Sequence, residues 1–344
     1  MKLSRRNLLA GLPALGALPF ARAALAAEDR HAGHHAASAA PRPEAAHAGH
    51  GDGTHVGTVG TVDHRRNGFD PHAILRDFDE GIVRREGNRT VREWTLIAQD
   101  KEIEVAPGVK FEAWTYNGRV PGPTLRATEG EHLRIKFMNG SRHPHTIHFH
   151  GIHSAPHDGI PGLGAGNIEP GEEFTYEFDA EPFGLHHYHC HTMPLAEHIA
   201  KGLYGTFIVD PKAGRPKADE LVMVMNGFDT NFDRANEVYA VNTVAFEYMN
   251  RPIRVKRGEL VRIYLVNLLE FDLVNSFHVH ANFFHHFPTG TSLEPVEFTD
   301  TVVQGQGQRS ILEIRFPYTG RYMFHAHVSE FAELGWMGSF EVVD

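Results

Sequence analysis

From about residue 89 onward, the chain is made of short runs in which apolar and polar residues alternate or β-branched residues cluster. Examples are TVREWTLIAQ, HLRIKFMN, EFTYEFDA and YGTFIVDP, and Gly, Pro or Asn separates each run from the next. A period of two places successive side chains on opposite faces of a strand, and turn signals about every ten residues are typical of a β-sandwich. The pattern therefore predicts an all-β fold.

A second set of such runs follows the first, and the two sets resemble each other. The segment KRGELVRIYLVN at 256–267 resembles TEGEHLRIKFMN at 128–139. Between the two sets lies KAGRPK at 212–217, which has the Gly and Pro content of a linker. The sequence thus predicts two related β-sandwich domains, at 89–212 and 218–344.

The start of the chain has the pattern of an export signal. Residues 1–26 combine the pair Arg5 and Arg6 with a modest apolar run and a small-residue cleavage site, as in twin-arginine (Tat) signals. Gly and Pro interrupt the apolar run, and it is too short to span a bilayer, so we expect no stable membrane insertion. The expected location is the bacterial periplasm or the outside of the cell.

Residues 27–88 are expected to be a tail and a lead-in to the first domain. Residues 27–64 are rich in Ala, Gly, Pro and His, a composition that cannot bury a core and predicts disorder. The motifs HAGHH at 31–35 and HAGH at 47–50 allow two interpretations, a tail that collects copper or zinc and a solvated linker. Residues 65–88 have no pattern that assigns them a structure.

Composition narrows the chemistry. The 344 residues carry a formal charge of −10 and no long basic run, so a nucleic-acid partner is not expected. A single cysteine excludes an internal disulfide. The 26 histidines are the unusual feature, because imidazole is the commonest protein ligand for transition metals.

The only cysteine, Cys190, stands between His189 and His191. In an extended chain the two imidazoles point to one face and the thiol to the other. A single strand can therefore connect two metal sites, one holding the thiolate and the other holding two imidazoles. The alternative is that Cys190 is a small buried apolar residue and the histidines are incidental.

The segment HTIHFH divides its histidines in the same way. His148 and His150 share a face, whereas His145 has the opposite parity and joins the Cys190 side. Downstream, His198 offers that side a second imidazole, and Leu203 stands where an axial ligand is often found. Two histidines and one cysteine with a weak or absent axial ligand are typical of a blue-copper site.

The second half of the chain repeats the histidine pairs without the thiolate. His278 and His280 correspond to His148 and His150, and the pair His325 and His327 corresponds to the pair that flanks Cys190. The other ligand positions are replaced, in the order His145, Cys190, His198 and Leu203, by Asn275, Ala326, Phe331 and Trp336. We therefore expect no mononuclear copper in the second domain.

With these motifs, the sequence resembles the two-domain multicopper oxidases, laccase-like relatives of the copper nitrite reductases. The resemblance covers about 90–344 and includes YNGRVPGPTL at 116–125, IEPGE at 168–172 and AELG at 332–335. It implies two cupredoxin-like Greek-key β-sandwich domains. The chain departs from the common laccase pattern in having six residues, rather than three, between the HCH motif and His198.

The resemblance also implies four coppers per chain. The type 1 site would use His145, Cys190 and His198, with Leu203 axial and non-coordinating. The type 2 copper would be held by His148 and His278, and the type 3 pair by His150, His189, His191, His280, His325 and His327. Asp158 resembles an acid that supplies protons in relatives, although an Asp-Gly pair is also typical of a simple turn.

The implied function is a laccase-like oxidase. A reducing substrate, which would be a phenol, an aromatic amine or a metal ion, would be oxidised at the type 1 copper, and dioxygen would be reduced to water at the three-copper cluster. Because two domains leave unlike edges free, contacts between copies must close into a ring. The family's six-domain rings imply a homotrimer with the cluster at the subunit interface.

Two other functions remain open. Copper nitrite reductases share the two-domain plan, but their pattern has an acid where His148 stands and a residue other than histidine where His191 stands. A non-enzymatic envelope protein for copper binding or tolerance would also suit the His-rich tail. Such a protein does not need a strand that links two metal sites.

Overall fold

The computed structural model describes residues 60–344. The predicted signal at 1–26 and the His-rich tail up to residue 59 lie outside the described residues. The described part is almost entirely β-structure, which confirms the predicted all-β class. No helix in this part of the chain has the length and apolar character needed to cross a membrane.

The first domain consists of two sheets. Its elements in chain order are α1 (His64–Asn67), α2 (Pro71–Ile74), β1 (Phe78–Asp79), β2 (Ile82–Glu86), β3 (Arg89–Ala106), β4 (Val109–Tyr116), β5 (Thr124–Thr128), β6 (His132–Asn139), β7 (His148–Phe149), a 3-10 turn (Ala155–His157), β8 (Glu173–Asp179), β9 (Gly184–His189), α3 (Leu195–Ala200) and β10 (Tyr204–Asp210). One sheet has the order β1-β5-β10-β9-β7. The other has the order β2-β3-β6-β8, with β4 also paired to β3.

The second domain has the same plan. Its elements are β11 (Asp219–Phe228), β12 (Val238–Val241), α4 (Glu247–Asn250), β13 (Ile253–Lys256), β14 (Leu260–Asn267), β15 (Val274–Val279), β16 (Phe284–Pro288), β17 (Glu297–Thr299), β18 (Thr301–Gly305), β19 (Arg309–Arg315), β20 (Gly320–His325), α5 (Ser329–Glu333) and β21 (Met337–Val343). The two sheets have the orders β12-β11-β14-β19-β16-β17 and β13-β21-β20-β15-β18. The repeat seen in the sequence is therefore a repeat of pairing: β3 with β6 and β11 with β14 are both parallel pairs.

Three buried clusters hold residues 60–344 together. One fills the first sandwich, one fills the second, and one joins the two domains. Strand β11 shows why apolar alternation is lost in the second domain. Leu221 and Met223 point into the core of the second domain, whereas Val222 and Val224 point into the cluster between the domains. A strand buried on both faces reads as a continuous apolar run.

Residues 65–88, for which the sequence indicated no structure, belong to the fold. The prediction of disorder was wrong for residues 60–64, because Val62 is buried and Asp63 caps α1, which begins at His64. Strand β1 pairs with β5 and β2 pairs with β3, so the sheets of the first domain begin before residue 89. Leu75 is fully buried in the core of the second domain. The Arg76 guanidinium lies 2.8 Å from the Asp219 carboxylate, and the Tyr248 hydroxyl donates to the Pro71 carbonyl over 2.9 Å. The lead-in thus connects one domain to the other.

Candidate metal centres

Three side chains from separate segments meet in the first domain. Cys190 follows the end of β9, His145 precedes β7, and His198 lies on α3. The Cys190 Sγ is 3.3 Å from His198 Nδ1 and 3.9 Å from His145 Nδ1, and the two Nδ1 atoms are 3.1 Å apart. All three residues are buried. The structure therefore brings together the one thiol and two imidazoles that the sequence assigned to one site.

Burial prepares these three groups to bind a metal. It lowers the pKa of His145 to about 3 and that of His198 to about 4, so both imidazoles are neutral at pH 7 and keep a lone pair for coordination. Burial raises the pKa of the Cys190 thiol, so the thiolate needs a compensating cation. One soft sulfur and two nitrogens without enclosed carboxylates fit copper.

The inserted segment before His198 forms helix α3. Met193, within the insertion, is 68% exposed, whereas Leu203 is fully buried beside Cys190. The backbone N–H of Cys190 donates to the Leu203 carbonyl over 2.9 Å, which fixes the position of Leu203 at the site. A leucine side chain offers no donor atom, so any metal held here would have three protein ligands.

Four further histidines lie together away from this site, and two of them, His189 and His191, flank Cys190 at the end of β9. The Nε2 atoms of His150 and His189 are 2.9 Å apart. The His148 ring centroid is 5.3 Å from the centroids of His189 and His191. Burial is the largest cause that lowers the pKa of His150 to about 2 and that of His189 to about 4, so these rings also have free lone pairs. The parity argument from the sequence matches this arrangement.

Hydrogen bonds select which nitrogen of each ring is free. His189 Nδ1 lies 2.7 Å from the Cys190 carbonyl, and His148 Nδ1 lies 2.8 Å from both the carbonyl and the carboxylate of Asp158. A carbonyl accepts only from a protonated nitrogen, so Nε2 carries the lone pair in both rings. Asp158 therefore orients the His148 ring through two contacts to Nδ1. Its carboxylate also lies 3.4 Å from His153 Nε2.

The second domain presents a matching set of four histidines. The Nε2 atoms of His280 and His325 are 3.0 Å apart, and the His278 centroid is 5.4 Å from that of His327. His325 Nδ1 lies 2.7 Å from the Ala326 carbonyl, just as His189 lies against the Cys190 carbonyl. His280 and His327 are exposed, so this set of ligands faces the surface of the chain.

The backbone around this second set repeats the hydrogen bonds of the Cys190 site without its candidate ligands. The Ala326 N–H donates to the Trp336 carbonyl over 3.2 Å, and the Trp336 N–H donates to the Phe331 carbonyl over 2.8 Å. The same pair of bonds connects Cys190, Leu203 and His198 in the first domain. Ala326, Phe331 and Trp336 therefore occupy the positions that the sequence comparison gave them, and they provide no metal ligand.

Two residues at the sites were given no role from the sequence. The Trp114 ring packs 4.7 Å from the His198 centroid and 5.2 Å from that of His145. The fully buried His187 ring packs against the His150 ring, with the centroids 3.7 Å apart and the planes tilted by 33°. Neither nitrogen of His187 has a hydrogen-bond partner among the described residues. Parity was a signal for His187, because it shares a face with His189. Trp114 lies on β4, and nothing in its local sequence indicated its position.

Comparison with known proteins places this geometry in a family. One family model described as multicopper oxidase matches residues 97–214, and a second with the same description matches residues 215–344. The chain belongs to the multicopper oxidase family. The predicted resemblance is thus confirmed, and with it the expectation of a copper-dependent oxidoreductase family and of cupredoxin-like domains.

Individual relatives include both oxidases and reductases. A crystal structure of a multicopper oxidase is 62% identical, with a TM-score of 0.81, and covers 82% of this chain and 100% of that chain. The copper-containing nitrite reductase of Neisseria gonorrhoeae is 32% identical over 66% of this chain, and the alignment spans 62% of that protein. A blue copper oxidase from Nitrosomonas europaea is 30% identical over 73% of this chain and 86% of that chain, with a TM-score of 0.66. Similarity alone does not separate the two activities, so the ligand sets must.

Proposed function

We propose that this member of the multicopper oxidase family is a laccase-like oxidase. It takes single electrons from a phenol, an aromatic amine or a metal ion and reduces dioxygen to water. When bound, copper supplies one-electron chemistry at the mononuclear site and four-electron reduction of dioxygen at a three-copper cluster. The export pattern at 1–26 supports a periplasmic or secreted enzyme.

The observation that carries the proposal is the full number of eight imidazoles, in two matching sets of four: one set lies beside the Cys190 site and the other lies on the second domain. The positions that separate oxidases from nitrite reductases are His148 and His191, and both are histidines whose rings lie in one cluster. A nitrite reductase holds a single copper at its second site and needs fewer imidazoles. The similarity to nitrite reductases keeps that activity as the second candidate.

The protein's own part is to hold ligands and to connect the two sites. His145, Cys190 and His198 would hold the type 1 copper. His189 and His191 are joined to Cys190 by peptide bonds, so the shortest covalent route between the two sites is only a few bonds long. Asp158 holds the His148 ring and is an acid close to where dioxygen reduction consumes protons.

The cluster also requires an assembly. His148, His150, His189 and His191 lie in the first domain, and their counterparts lie on an exposed face of the second. We propose that three chains form a closed ring, so that the first domain of one chain and the second domain of the next share one cluster. Each trimer would then hold four coppers per chain.

Copper analysis together with oxygen uptake tests the function. An oxidase is expected to hold four coppers per chain and to consume dioxygen with a phenolic donor or with cuprous ion. Two coppers per chain and reduction of nitrite instead would identify a nitrite reductase. A variable copper content without turnover would identify a copper-binding protein.

Asp158→Asn is expected to lower turnover by about ten- to a hundredfold, because residues that orient a metal-bound histidine typically have effects of this size. The asparagine keeps the shape of Asp158 but removes the charge 2.8 Å from His148 Nδ1. The type 1 absorbance should not change, because within residues 60–344 the Asp158 carboxylate contacts His148 and His153 and not Cys190, His145 or His198.

The matched control is Asp300→Asn in the second domain. The Asp300 carboxylate is 3.9 Å from His278 Nδ1, too far for a good hydrogen bond, so this variant should keep near-normal turnover. Oxygen uptake and copper content are measured for both variants. Equal turnover in the two variants would contradict a specific role for Asp158.

A further inference from the structure

A cavity of about 530 Å³ lies beside α3, the helix that carries His198, between the two domains of the chain. One wall is α3 and the residue after it, including Glu197 and Lys201, together with Phe111 of β4. The other wall consists of Phe232, Arg234 and Phe271 of the second domain. The volume is in the range of sites that bind small molecules.

The cavity is close to the Cys190 site. Glu197 on its wall is adjacent in sequence to His198, and Lys201 Nζ is 5.7 Å from the Trp114 ring centroid. Trp114 in turn packs against the imidazole of His198 at 4.7 Å. The wall of the cavity therefore includes the sequence neighbour of His198, and Lys201 on that wall lies near the ring that packs against His198.

The loop from the second domain is built to present two side chains to this cavity. Phe232 and Arg234 have φ angles of 63° and 73°, in the left-handed region that costs free energy for residues other than glycine. The Asp229 carboxylate stabilises the loop by accepting the backbone N–H groups of Asp233 at 3.1 Å and Arg234 at 2.8 Å. The carboxylate of Asp229 is thus occupied by the backbone.

One of the two cations of the cavity is already engaged. Lys201 Nζ lies 4.0 Å from the Phe232 ring centroid and donates to the Glu112 carbonyl over 3.2 Å. Burial lowers the pKa of Lys201, and the carboxylate of Glu197 opposes that shift. Lys201 therefore already has the Phe232 ring and the Glu112 carbonyl as partners.

Arg234 is the other cation. Its guanidinium is exposed and lies 5.9 Å from the Phe271 ring centroid. Within residues 60–344, no carboxylate lies within ion-pair distance of this guanidinium. An unpaired guanidinium next to an aromatic wall has the fork of donors that binds a carboxylate in two places.

We propose that this cavity binds the electron donor, and that the donor is an aromatic molecule with a carboxylate group, such as a phenolic acid. The rings of Phe111, Phe232 and Phe271 enclose the aromatic part and Arg234 binds the carboxylate. Each oxidation removes one electron, which goes to the type 1 site, and the hydroxyl proton, which goes to water. The oxidation of the bound molecule rests on the proposed oxidase function, whereas its binding in the cavity does not.

Calorimetric titration of the copper-loaded full chain tests the binding. The probe is 4-methoxybenzoate, which lacks a phenolic hydroxyl, and 4-methoxybenzamide is its uncharged match. Arg234→Gln is expected to weaken benzoate binding about tenfold and to leave benzamide binding unchanged, because it removes one charge-assisted pair. Arg234→Lys should retain part of the affinity, because the charge is kept without the fork.

Arg65→Gln is the matched control, because Arg65 is 98% exposed on α1 and does not line the cavity. Equal binding of benzoate and benzamide, or unchanged benzoate binding in Arg234→Gln, would overturn the proposal. A protein that binds benzoate through Arg234 but consumes no dioxygen with any donor would retain the binding site and refute the proposed oxidase. A protein that consumes dioxygen, but whose benzoate binding is unchanged in Arg234→Gln, would support the proposed oxidase and refute the binding site.

Discussion

Cys190→Ser is expected to abolish the blue absorbance and reduce turnover to the background level, while most of the cluster copper stays bound. Cys190 is the only cysteine, so no other side chain can supply the thiolate. Its two neighbours face the other side of the strand, and their rings keep their own contacts: His189 pairs with His150 at 2.9 Å. The mutation therefore removes one site and its connection to the donor without removing cluster ligands.

The measurements are the absorption spectrum, copper content per chain and oxygen uptake. The matched control is Ala326→Ser, which places the same hydroxyl at the corresponding position of the second domain, where the structure shows no ligand set. This control should remain blue and active. A Cys190→Ser protein that stays blue or keeps full turnover would refute the electron route through Cys190.

Much of the fold followed from apolar periodicity, because strands with one buried face keep a period of two. Strand β6 alternates between buried and partly exposed residues along most of its length. The prediction lost detail where strands are buried on both faces. On β14 every residue is buried, including Arg262, whose guanidinium pairs with Glu220 at 2.9 Å and Glu313 at 2.7 Å. Those partners come from distant parts of the sequence, so no local pattern reveals them.

The lead-in shows a second limit of prediction. Its strands β1 and β2 span only two and five residues, and β2 is exposed along its whole length. Such segments show no apolar period in the sequence. They form strands because they pair with β5 and β3, and a local pattern does not reveal that pairing. The contribution of Leu75 is equally non-local, since a single leucine in a polar stretch is buried by the second domain. Its role depends on the assembled fold.

The candidate metal ligands were easier to assign from the sequence, because the alternation of side chains along an extended segment depends only on local spacing. His148, His150, His189 and His191 needed only their spacing to be assigned to one face. Helix α3 was not predicted, although it is what returns His198 to within 3.3 Å of the Cys190 sulfur across the longer insertion. Trp114 was not predicted because its contact with the two imidazoles joins residues far apart in sequence. The spacing of histidines along the sequence therefore identifies candidate ligands. The side chains that pack around those ligands can be identified only from the structure.

The proposed sharing of one cluster between two chains leads to the other prediction with a large effect, in which two inactive variants are mixed. His150→Ala damages only the first-domain half of a cluster, and His280→Ala damages only the second-domain half. Each variant alone is expected to be inactive toward dioxygen, because every cluster in it lacks one imidazole. The two positions are equivalent: each Nε2 lies about 3 Å from its neighbour, at 2.9 Å for His150 and 3.0 Å for His280.

Dissociating the two variants together and allowing them to reassemble should restore activity. If each cluster combines the first domain of one chain with the second domain of the next, then random assembly of equal amounts pairs two intact halves in roughly a quarter of the interfaces. Oxygen uptake should therefore recover to roughly a quarter of the wild-type value, and type 3 copper should recover with it. The His150→Ala variant mixed with itself is the control and should stay inactive.

The size of the protein completes this test. The recovered activity should elute with the trimer, and dilution that produces monomers should remove type 3 copper and turnover together. Clusters built within one chain would give no recovery on mixing, because every chain in the mixture carries a damaged half. A monomer that holds four coppers and reduces dioxygen would contradict the ring, since the exposed face that carries His280 and His327 would then have no partner domain to complete it.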